Sequence, residues 1–599
     1  MTLSEIVSVD FNSNSVRQWV PTHARSSNWP VVYVLDTPGA AGSTGEVYVG
    51  ETLSASNRLR QHLDSPQKKH LRTARVVIDE RFNKSVCLDL ESYLIRMLAG
   101  DGQFQVLNRN DGIVEANYFD RATYQESFRE IFERLRADGV FIRTIPEIEN
   151  SDLFKLSPFK ALTPDQAIAV EDILEGLFTD IRAGVGNTIV VQGEPGTGKT
   201  VIAIFLLKLL RDIAESVPGE EPDADSMFAE FFVEGYPEVA AGLRVGLVVP
   251  QQSLRKSIQK VFRRTPGLSA GMVLTPFEVG EAGHHFDVLV VDETHRLNHR
   301  ANQPSGPQNK KFADITTSLF GFDDLTKTQL DWIRAKSTHQ VFLADAAQAV
   351  RPADLPASTL GALVSEASTA GRLYRLQSQL RVKAGSDYIG YVRAVLSPDP
   401  LLAPAEPRTF GEYDLRLFDD FAAMRTEIRA RDSELGLSRL VAGYAWKWKS
   451  KDDPLGWDIE LDGIRMPWNR SQTDWIASPT SLDEIGSIHT VQGYDLNYAG
   501  VIIGNDLRFD PATGRLIVDR SSYFDKKGME NNPKLGIVNT DDDLLRFITN
   551  IYAVLLTRGI HGTYVYVCDP PLREYVRRFL PRNSLWAESS APTASGEQI

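Results

Sequence analysis

Cysteine is nearly absent from this chain. Its 599 residues include two, Cys87 and Cys568, far apart and without the spacing of a metal-ligand pair. That excludes a disulfide framework and a structural zinc site, and it fits a reducing compartment. No apolar run reaches membrane-spanning length, and the opening Met-Thr-Leu-Ser-Glu lacks the basic and apolar regions of a secretory signal. A cytoplasmic protein with no membrane partner is expected. Excess positive charge is missing too, the formal net charge being −14. This excludes a chain coated in basic residues but leaves room for a local basic groove. What is present is ordinary globular material, 42% apolar and 24% charged. Length alone suggests about four compact units.

The chain divides by pattern. Residues 1–28 are polar and mixed and read as a leader. Residues 29–112 hold short strands at Val31–Leu35, Glu46–Val49 and Arg75–Ile78, with helices beginning near Ala55 and Ser85. Residues 113–157 contain a charged helical stretch from Tyr124 to about Ala137 and read as a connector. From Leu162 onward strands alternate with helices, as in a parallel α/β sheet. Strand candidates are Thr188–Gln192, Val245–Val249, Met272–Leu274, Val288–Val291, Val341–Leu343, Leu440–Ala442, Val501–Ile503 and Tyr564–Val567. We divide this part into residues 158–360 and 361–585, followed by a Ser/Ala/Pro-rich tail, 586–599, expected to be disordered. Glu215–Glu238 reads as a surface insertion and Asn298–Lys311 as a loop.

One run carries the most chemistry: Gly193-Glu194-Pro195-Gly196-Thr197-Gly198-Lys199-Thr200. It has the form G-x-x-x-x-G-K-T, preceded by an apolar strand and followed by an apolar helix. Such a loop wraps backbone N–H groups around phosphates at a helix N-terminus. Lys199 would reach the β- and γ-phosphates of ATP, and the Thr200 hydroxyl would bind Mg²⁺. Downstream, Phe286-Asp287-Val288-Leu289-Val290-Val291-Asp292-Glu293-Thr294-His295 brings an acidic pair to the C-terminal edge of a strand, where open α/β sheets bind ligands. Asp292 would hold the Mg²⁺ and Glu293 would orient or activate the attacking water.

Here the chain resembles superfamily 1 helicases, whose motifs occur in the same order. Leu162-Thr163-Pro164-Asp165-Gln166 is similar to the Q-motif, which implies that Gln166 reads adenine. Val248-Val249-Pro250-Gln251-Gln252-Ser253 resembles motif Ia. Val273-Leu274-Thr275-Pro276-Phe277 resembles the threonine-bearing element after it; both would touch nucleic-acid backbone. Leu343-Ala344-Asp345-Ala346-Ala347-Gln348 is similar to motif III, with Gln348 as γ-phosphate sensor. Gln379-Leu380-Arg381 resembles motif IV, and Tyr552-Ala553-Val554-Leu555-Leu556-Thr557-Arg558 resembles motif VI; Arg381 and Arg558 would be arginine fingers. Ile488-His489-Thr490-Val491-Gln492-Gly493-Tyr494-Asp495 resembles motif V, and Asp495 joins the nucleotide-binding set. Tyr444-Ala445-Trp446-Lys447-Trp448 and Met466-Pro467-Trp468-Asn469 look like the Schlafen-type (group 3) DNA/RNA helicase domain. The three tryptophans are either core aromatics or base-stacking platforms. The resemblance implies an α/β architecture of two RecA-like P-loop domains with parallel sheets.

The N-terminal pattern has its own resemblance. Val32-Tyr33-Val34 and Tyr48-Val49-Gly50 are similar to the two elements that name the GIY-YIG nucleases, although Val31-Val32 stand where Gly-Ile would be. Arg58 and His62, four apart on one helix, share a face. Glu91 lies among leucines in a second helix, and Asn108 follows. The likeness implies a small α+β domain, a three-stranded antiparallel sheet flanked by helices, that hydrolyses phosphodiesters with one divalent metal. Glu91 would hold Mg²⁺ or Mn²⁺ and Arg58 would stabilise phosphate charge. Tyr33 or Tyr48, with His62, would deprotonate the attacking water; the sequence does not apportion that proton.

Together these readings imply a nuclease–helicase fusion acting on DNA, with RNA as the alternative polynucleotide. Its architecture resembles bacterial proteins that destroy phage or plasmid DNA. Two other readings stay open: a repair or recombination enzyme with the same activities, and an ATP-dependent switch that binds nucleic acid without cutting it.

Overall fold

The computed structural model describes residues 4–39, 44–109, 117–216, 227–300, 305–345, 353–378, 382–451, 453, 456–471, 475–491, 495–529, 531, 536 and 538–580. The N-terminal sheet holds β1 (Glu5–Asp10), β2 (Val31–Thr37), β3 (Gly45–Thr52), β4 (Thr73–Ile78) and β5 (Phe104–Val106), in the order β1-β4-β2-β3-β5. β5 pairs parallel with β3 and the other pairings are antiparallel. The expected three-stranded sheet is therefore only the centre of a five-stranded one. Residues 4–28 are not a leader. They supply β1 and a helix, Ser13–Trp19, capped by the Asn12 side chain.

β2 is apolar at nearly every position because both faces of the sheet are covered. Val32 and Val34 pack with the helix Lys84–Asp101 through Leu90, Leu94 and Leu98. Val31, Tyr33 and Leu35 face the other way, toward Val16, Trp19, Ala55 and Leu59. This period of two places Tyr33 and Tyr48 on the same side as the helix Ala55–Asp64.

The segment read as a connector is part of this domain. Phe128, Ile131, Phe132 and Leu135 of the helix Arg121–Ala137 are buried in the same core, as are Phe141 and Ile148. The short helices Ile145–Glu149 and Asp152–Lys155 then bridge to the rest of the chain. On one side Ser151 Oγ donates to Gly100 O at 3.1 Å, at the end of the helix that carries Glu91. On the other, Asn150 Nδ2 donates to Leu435 O at 3.0 Å and Lys155 Nζ to Asp495 O at 3.2 Å.

Two parallel sheets follow. The first lobe has β6 (Asn187–Gly193), β7 (Val245–Val248), β8 (Val273–Leu274), β9 (Phe286–Val291), β10 (Ser337–Ala344) and β11 (Leu373–Leu376), ordered β11-β6-β10-β9-β7-β8. β11 pairs with β6, so this lobe runs past the boundary placed at residue 360. The second lobe has β12 (Asp414–Phe418), β13 (Ser438–Ala442), the hairpin β14 (Ile459–Leu461) and β15 (Ile464–Met466), β16 (Ile485–Ser487), β17 (Leu496–Ile503), the hairpin β18 (Leu507–Asp510) and β19 (Arg515–Val518), and β20 (Gly559–Val567). Its main sheet is ordered β12-β20-β17-β13-β16 and is parallel throughout. Such all-parallel sheets, covered on both faces by helices, fit the expected RecA-like pair.

Two local expectations change. Part of Glu215–Glu238 is core, because Phe228 and Phe231 are fully buried in the first lobe. The end of Asn298–Lys311 is helical, since a helix runs Gly306–Phe320. Among the described residues, no helix is long and apolar enough to cross a membrane. The tail read as disordered lies outside the described residues.

Candidate functional site

The P-loop joins β6, which lies between β11 and β10, to the helix Lys199–Ala214. Gly196 and Gly198 adopt φ +87° and +79°, a left-handed backbone open to glycine at little cost. Lys199 Nζ donates to the carbonyls of Gly193 and Glu194 at 2.6 and 2.8 Å and lies 3.8 Å from Asp345. The ammonium is thus held inside the loop at the place the phosphates would enter. Thr200 Oγ1 donates to Asp292 Oδ2 at 2.7 Å. A hydroxyl and a carboxylate meeting at the mouth of a P-loop form a hard-oxygen donor set that fits Mg²⁺.

Asp345 lies just past the end of β10, which pairs with β6, and Asp292 and Glu293 just past the end of β9, the next strand over. Asp292 is fully buried, and burial, with the neighbouring Glu293 charge, pushes its carboxyl above the ordinary range. Glu293 has φ +51°, a strained backbone of the sort that clusters at working sites. Its burial would raise the carboxyl, but His295, 3.0 Å away, outweighs that and holds it low. The pair is therefore split: Glu293 stays ionised more readily than Asp292.

Gln166 is fully buried. Its Nε2 donates to Thr197 O at 2.8 Å and its Oε1 accepts from Thr163 N at 3.0 Å. As placed, it braces the P-loop, with both ends of its amide engaged. Its neighbour Asp165 reaches β11's end, accepting from Gln377 N and Ser378 N at 3.0 Å each and from Ser378 Oγ at 2.6 Å. Burial alone would raise its pKa; these bonds and Thr163 hold it at about 2. Asp165 thus fixes the segment that leads to Arg381.

Arg381 and Gln348 lie outside the described residues, as do Gln492–Tyr494. Arg558 sits between the helix Asp541–Leu556 and β20, with its side chain 2% exposed. The carbonyl of Asp495 accepts from Lys155 of the bridging helix. Glu194 meets the second lobe through Arg393 Nη1 at 3.5 Å, a contact the sequence did not suggest. Beside it opens a cavity of about 850 Å³, lined by Glu194, Thr197, Gln377, Asp387, Tyr391 and Arg408. Thr275 caps the helix Pro276–Glu281. Trp468 is core, 1% exposed, while Trp446 and Trp448 pack half-buried against it and its neighbours.

The N-terminal candidates converge as well. Tyr33 OH lies 2.7 Å from His62 Nε2, and the Tyr33, Tyr48 and His62 rings are mutual neighbours with centroids 5.2–6.3 Å apart. Burial first, then the neighbouring Tyr48, pushes the Tyr33 phenol well up, although Arg58 hydrogen-bonds it. The Glu91 charge also bears on it, from the helix on the far face. Burial, then Lys68 and Arg58, lowers the His62 pKa to about 3. A neutral imidazole with its proton on Nδ1 accepts the hydrogen bond of the protonated Tyr33 phenol at Nε2. Gly50 serves by its size, since a Cβ there would lie 2.2 Å from Tyr33 OH. Asn108 is structural: it pairs with both Val49 N and Val49 O, at 3.0 and 2.8 Å. Glu51 was not anticipated; it is paired with Lys84 Nζ at 2.5 Å. Among the described residues, no group of three or more His, Cys, Asp or Glu side chains comes together to hold a metal ion.

Two parallel lobes with a P-loop, a buried aspartate on its threonine and an adjacent ionised glutamate define a nucleoside-triphosphate hydrolase. Residues 186–569 match the family described as Schlafen group 3, DNA/RNA helicase domain, and the chain belongs to that family. The N-terminal sheet lies outside this match. The chain is 27% identical over 418 residues to the uncharacterized protein YPL245W of Saccharomyces cerevisiae, covering 65% of this chain and 83% of that protein. It is 23% identical over 237 residues to the ATP-dependent DNA helicase RecG of Borreliella burgdorferi, covering 36% of this chain and 32% of RecG. Among solved structures it is similar to a DEAD box protein from Methanococcus jannaschii, at 11% identity and TM-score 0.20 over 69% of this chain and 93% of that one. The SWI2/SNF2 ATPase core of Sulfolobus solfataricus in complex with dsDNA gives 12% identity and TM-score 0.22 over 68% and 88%.

Proposed function

We propose that the chain is an ATP-driven nucleic-acid motor carrying its own metal-dependent phosphodiesterase, and that its substrate is DNA. The observation that supports the fusion is the meeting of Tyr33, Tyr48, His62 and Arg58 on one face of the N-terminal sheet, with the Glu91 charge bearing on Tyr33 from the other side. In the motor, Lys199 neutralises the phosphates, Thr200 and Asp292 hold Mg²⁺, and Glu293 orients the attacking water. Arg381 and Arg558 complete the site from the second lobe, and Gln348 senses the γ-phosphate. A bound Mg²⁺ supplies charge neutralisation at the phosphoryl group.

At the nuclease site, Glu91 would hold a divalent ion, whose charge would assist at the phosphate. Arg58 binds the phosphate oxygens. Tyr33 or Tyr48, with His62, takes the proton of the attacking water, the Tyr33 hydroxyl being joined to His62 Nε2 at 2.7 Å. Destruction of invading phage or plasmid DNA is the setting this architecture favours. The bridging helices, tied to Gly100 on one side and to Leu435 and Asp495 on the other, give the motor a mechanical path to the nuclease.

The test uses purified protein, Mg²⁺, and labelled single-stranded, duplex and forked DNA and RNA, with and without ATP. We expect ATP hydrolysis stimulated by polynucleotide, binding that weakens steeply with salt because phosphate contacts release counterions, and metal-dependent cutting of DNA. Absence of stimulation by every polynucleotide refutes the motor reading; absence of cutting refutes the nuclease; cutting of RNA alone refutes the substrate.

A further inference from the structure

We propose that Lys68 is a phosphate-binding and positioning residue of the N-terminal site, clamping the Tyr48 ring and presenting a second cation beside Arg58; this rests on the nuclease reading above. Lys68 Nζ stands 3.7 Å from the centroid of the Tyr48 ring. That is close contact for an ammonium on an aromatic face. The same ring meets His62 edge-on at 5.2 Å and 67°. Tyr48 is thus held on its face by a cation and at its edge by the imidazole.

The position of Lys68 is built. It lies in a tight turn closed by Lys68 N→Ser65 O at 3.2 Å, Lys69 N→Ser65 O at 2.9 Å and Leu71 N→Lys68 O at 3.0 Å. Leu71, 2% exposed, anchors the turn in the core beside Tyr48. The side chain therefore reaches the ring from a fixed base.

The local charge is unusual for this chain. Against a net −14 overall, the segment 55–75 carries Arg58, Arg60, Lys68, Lys69, Arg72 and Arg75 with Asp64 as its sole acid. Arg75 is paired with Asp36, and nearby His70 with Glu46. Arg58 and Lys68 differ from these in bearing directly on the Tyr33–Tyr48–His62 cluster. A phosphodiester gains negative charge as water adds, so a pair of cations facing the cluster stabilises the reacting phosphate more than the bound substrate.

The test compares the parent, Lys68→Ala, Lys68→Met, Lys68→Arg and Glu91→Ala in Mg²⁺-dependent cleavage of a short duplex, with ATP hydrolysis as the check that each variant is folded. Loss of one phosphate-stabilising cation should lower kcat/KM of Lys68→Ala and Lys68→Met by about tenfold to a hundredfold. Lys68→Arg, which restores a cation over the ring, should stay within about threefold of the parent. The salt slope of substrate binding should fall by about one in Lys68→Ala. Parental cleavage by Lys68→Met, or an equal loss in Lys68→Arg and Lys68→Ala, overturns the proposal while leaving the nuclease reading intact. Equal cleavage by the parent and Glu91→Ala overturns the nuclease reading, and the proposal with it.

Discussion

Replacing Gly50 with alanine should silence the nuclease and spare the motor. The new methyl would lie 2.2 Å from the Tyr33 hydroxyl and 2.4 Å from its ring carbon. A comfortable contact is about 3.5 Å, so the phenol and β3 must separate by roughly 1 Å. Tyr33 is fully buried and packed among Val31, Val76 and Leu59, which leaves it no open space to retreat into. Overpacking of this kind costs about 1–3 kcal/mol, which a domain with this core survives. The bond from Tyr33 OH to His62 Nε2, now 2.7 Å, is what yields. A misplacement near 1 Å at a reacting group lowers rate by about a hundredfold. The assay is Mg²⁺-dependent cleavage of labelled duplex, with ATP hydrolysis and the melting temperature measured alongside. Cleavage within about threefold of the parent, in a protein that melts normally, would refute the claim that this close approach organises the site.

Glu293→Gln should keep ATP binding, measured by equilibrium titration, while turnover falls by about a hundredfold or more, because only the water-orienting carboxylate is lost. Asp506 gives a pH prediction. It is fully buried, bonded to Tyr552 OH at 2.6 Å, and burial raises its pKa from the ordinary 3.8 to about 7. The native state therefore binds the extra proton between those values, and stability present below pH 4 is lost as pH rises through 7, by up to about 4 kcal/mol. Asp506→Asn keeps an acceptor for Tyr552 but cannot ionise. It should melt higher than the parent at pH 8, with the gap shrinking toward pH 4; a gap independent of pH would contradict this.

The motor could be read from the sequence because its signals are local. A glycine-rich turn between an apolar strand and an apolar helix, and an apolar run ending in Asp-Glu, are visible without any tertiary contact. The Tyr33–Tyr48–His62 cluster was legible because strand period and helix period each put these side chains on one face: Tyr33 and Tyr48 by twos, Arg58 and His62 by four. What escaped depends on distant partners. β1 is an edge strand with one well-buried residue, Val9, so Glu5–Asp10 carries little apolar pattern. β11 shows half-exposed Leu373 and Tyr374 and is a strand because β6 lies beside it. The charged face of Arg121–Ala137 suggested a free connector, yet its four buried apolar residues dock on the domain core. Asp165, Arg393 and Lys68 act across sequence gaps that no local pattern bridges. Gln166 is the converse case: its motif pointed to adenine, while the side chain braces the loop next to it.

The central claim is that one chain carries two separable activities. The measurement that tests it most directly is cleavage and ATP hydrolysis, side by side, for the parent, Glu91→Ala and Lys199→Ala on a short accessible duplex. Glu91→Ala should lose cutting and keep polynucleotide-stimulated ATP hydrolysis, while Lys199→Ala should lose ATP hydrolysis and keep slow cutting. Equal cutting by Glu91→Ala and the parent would contradict it.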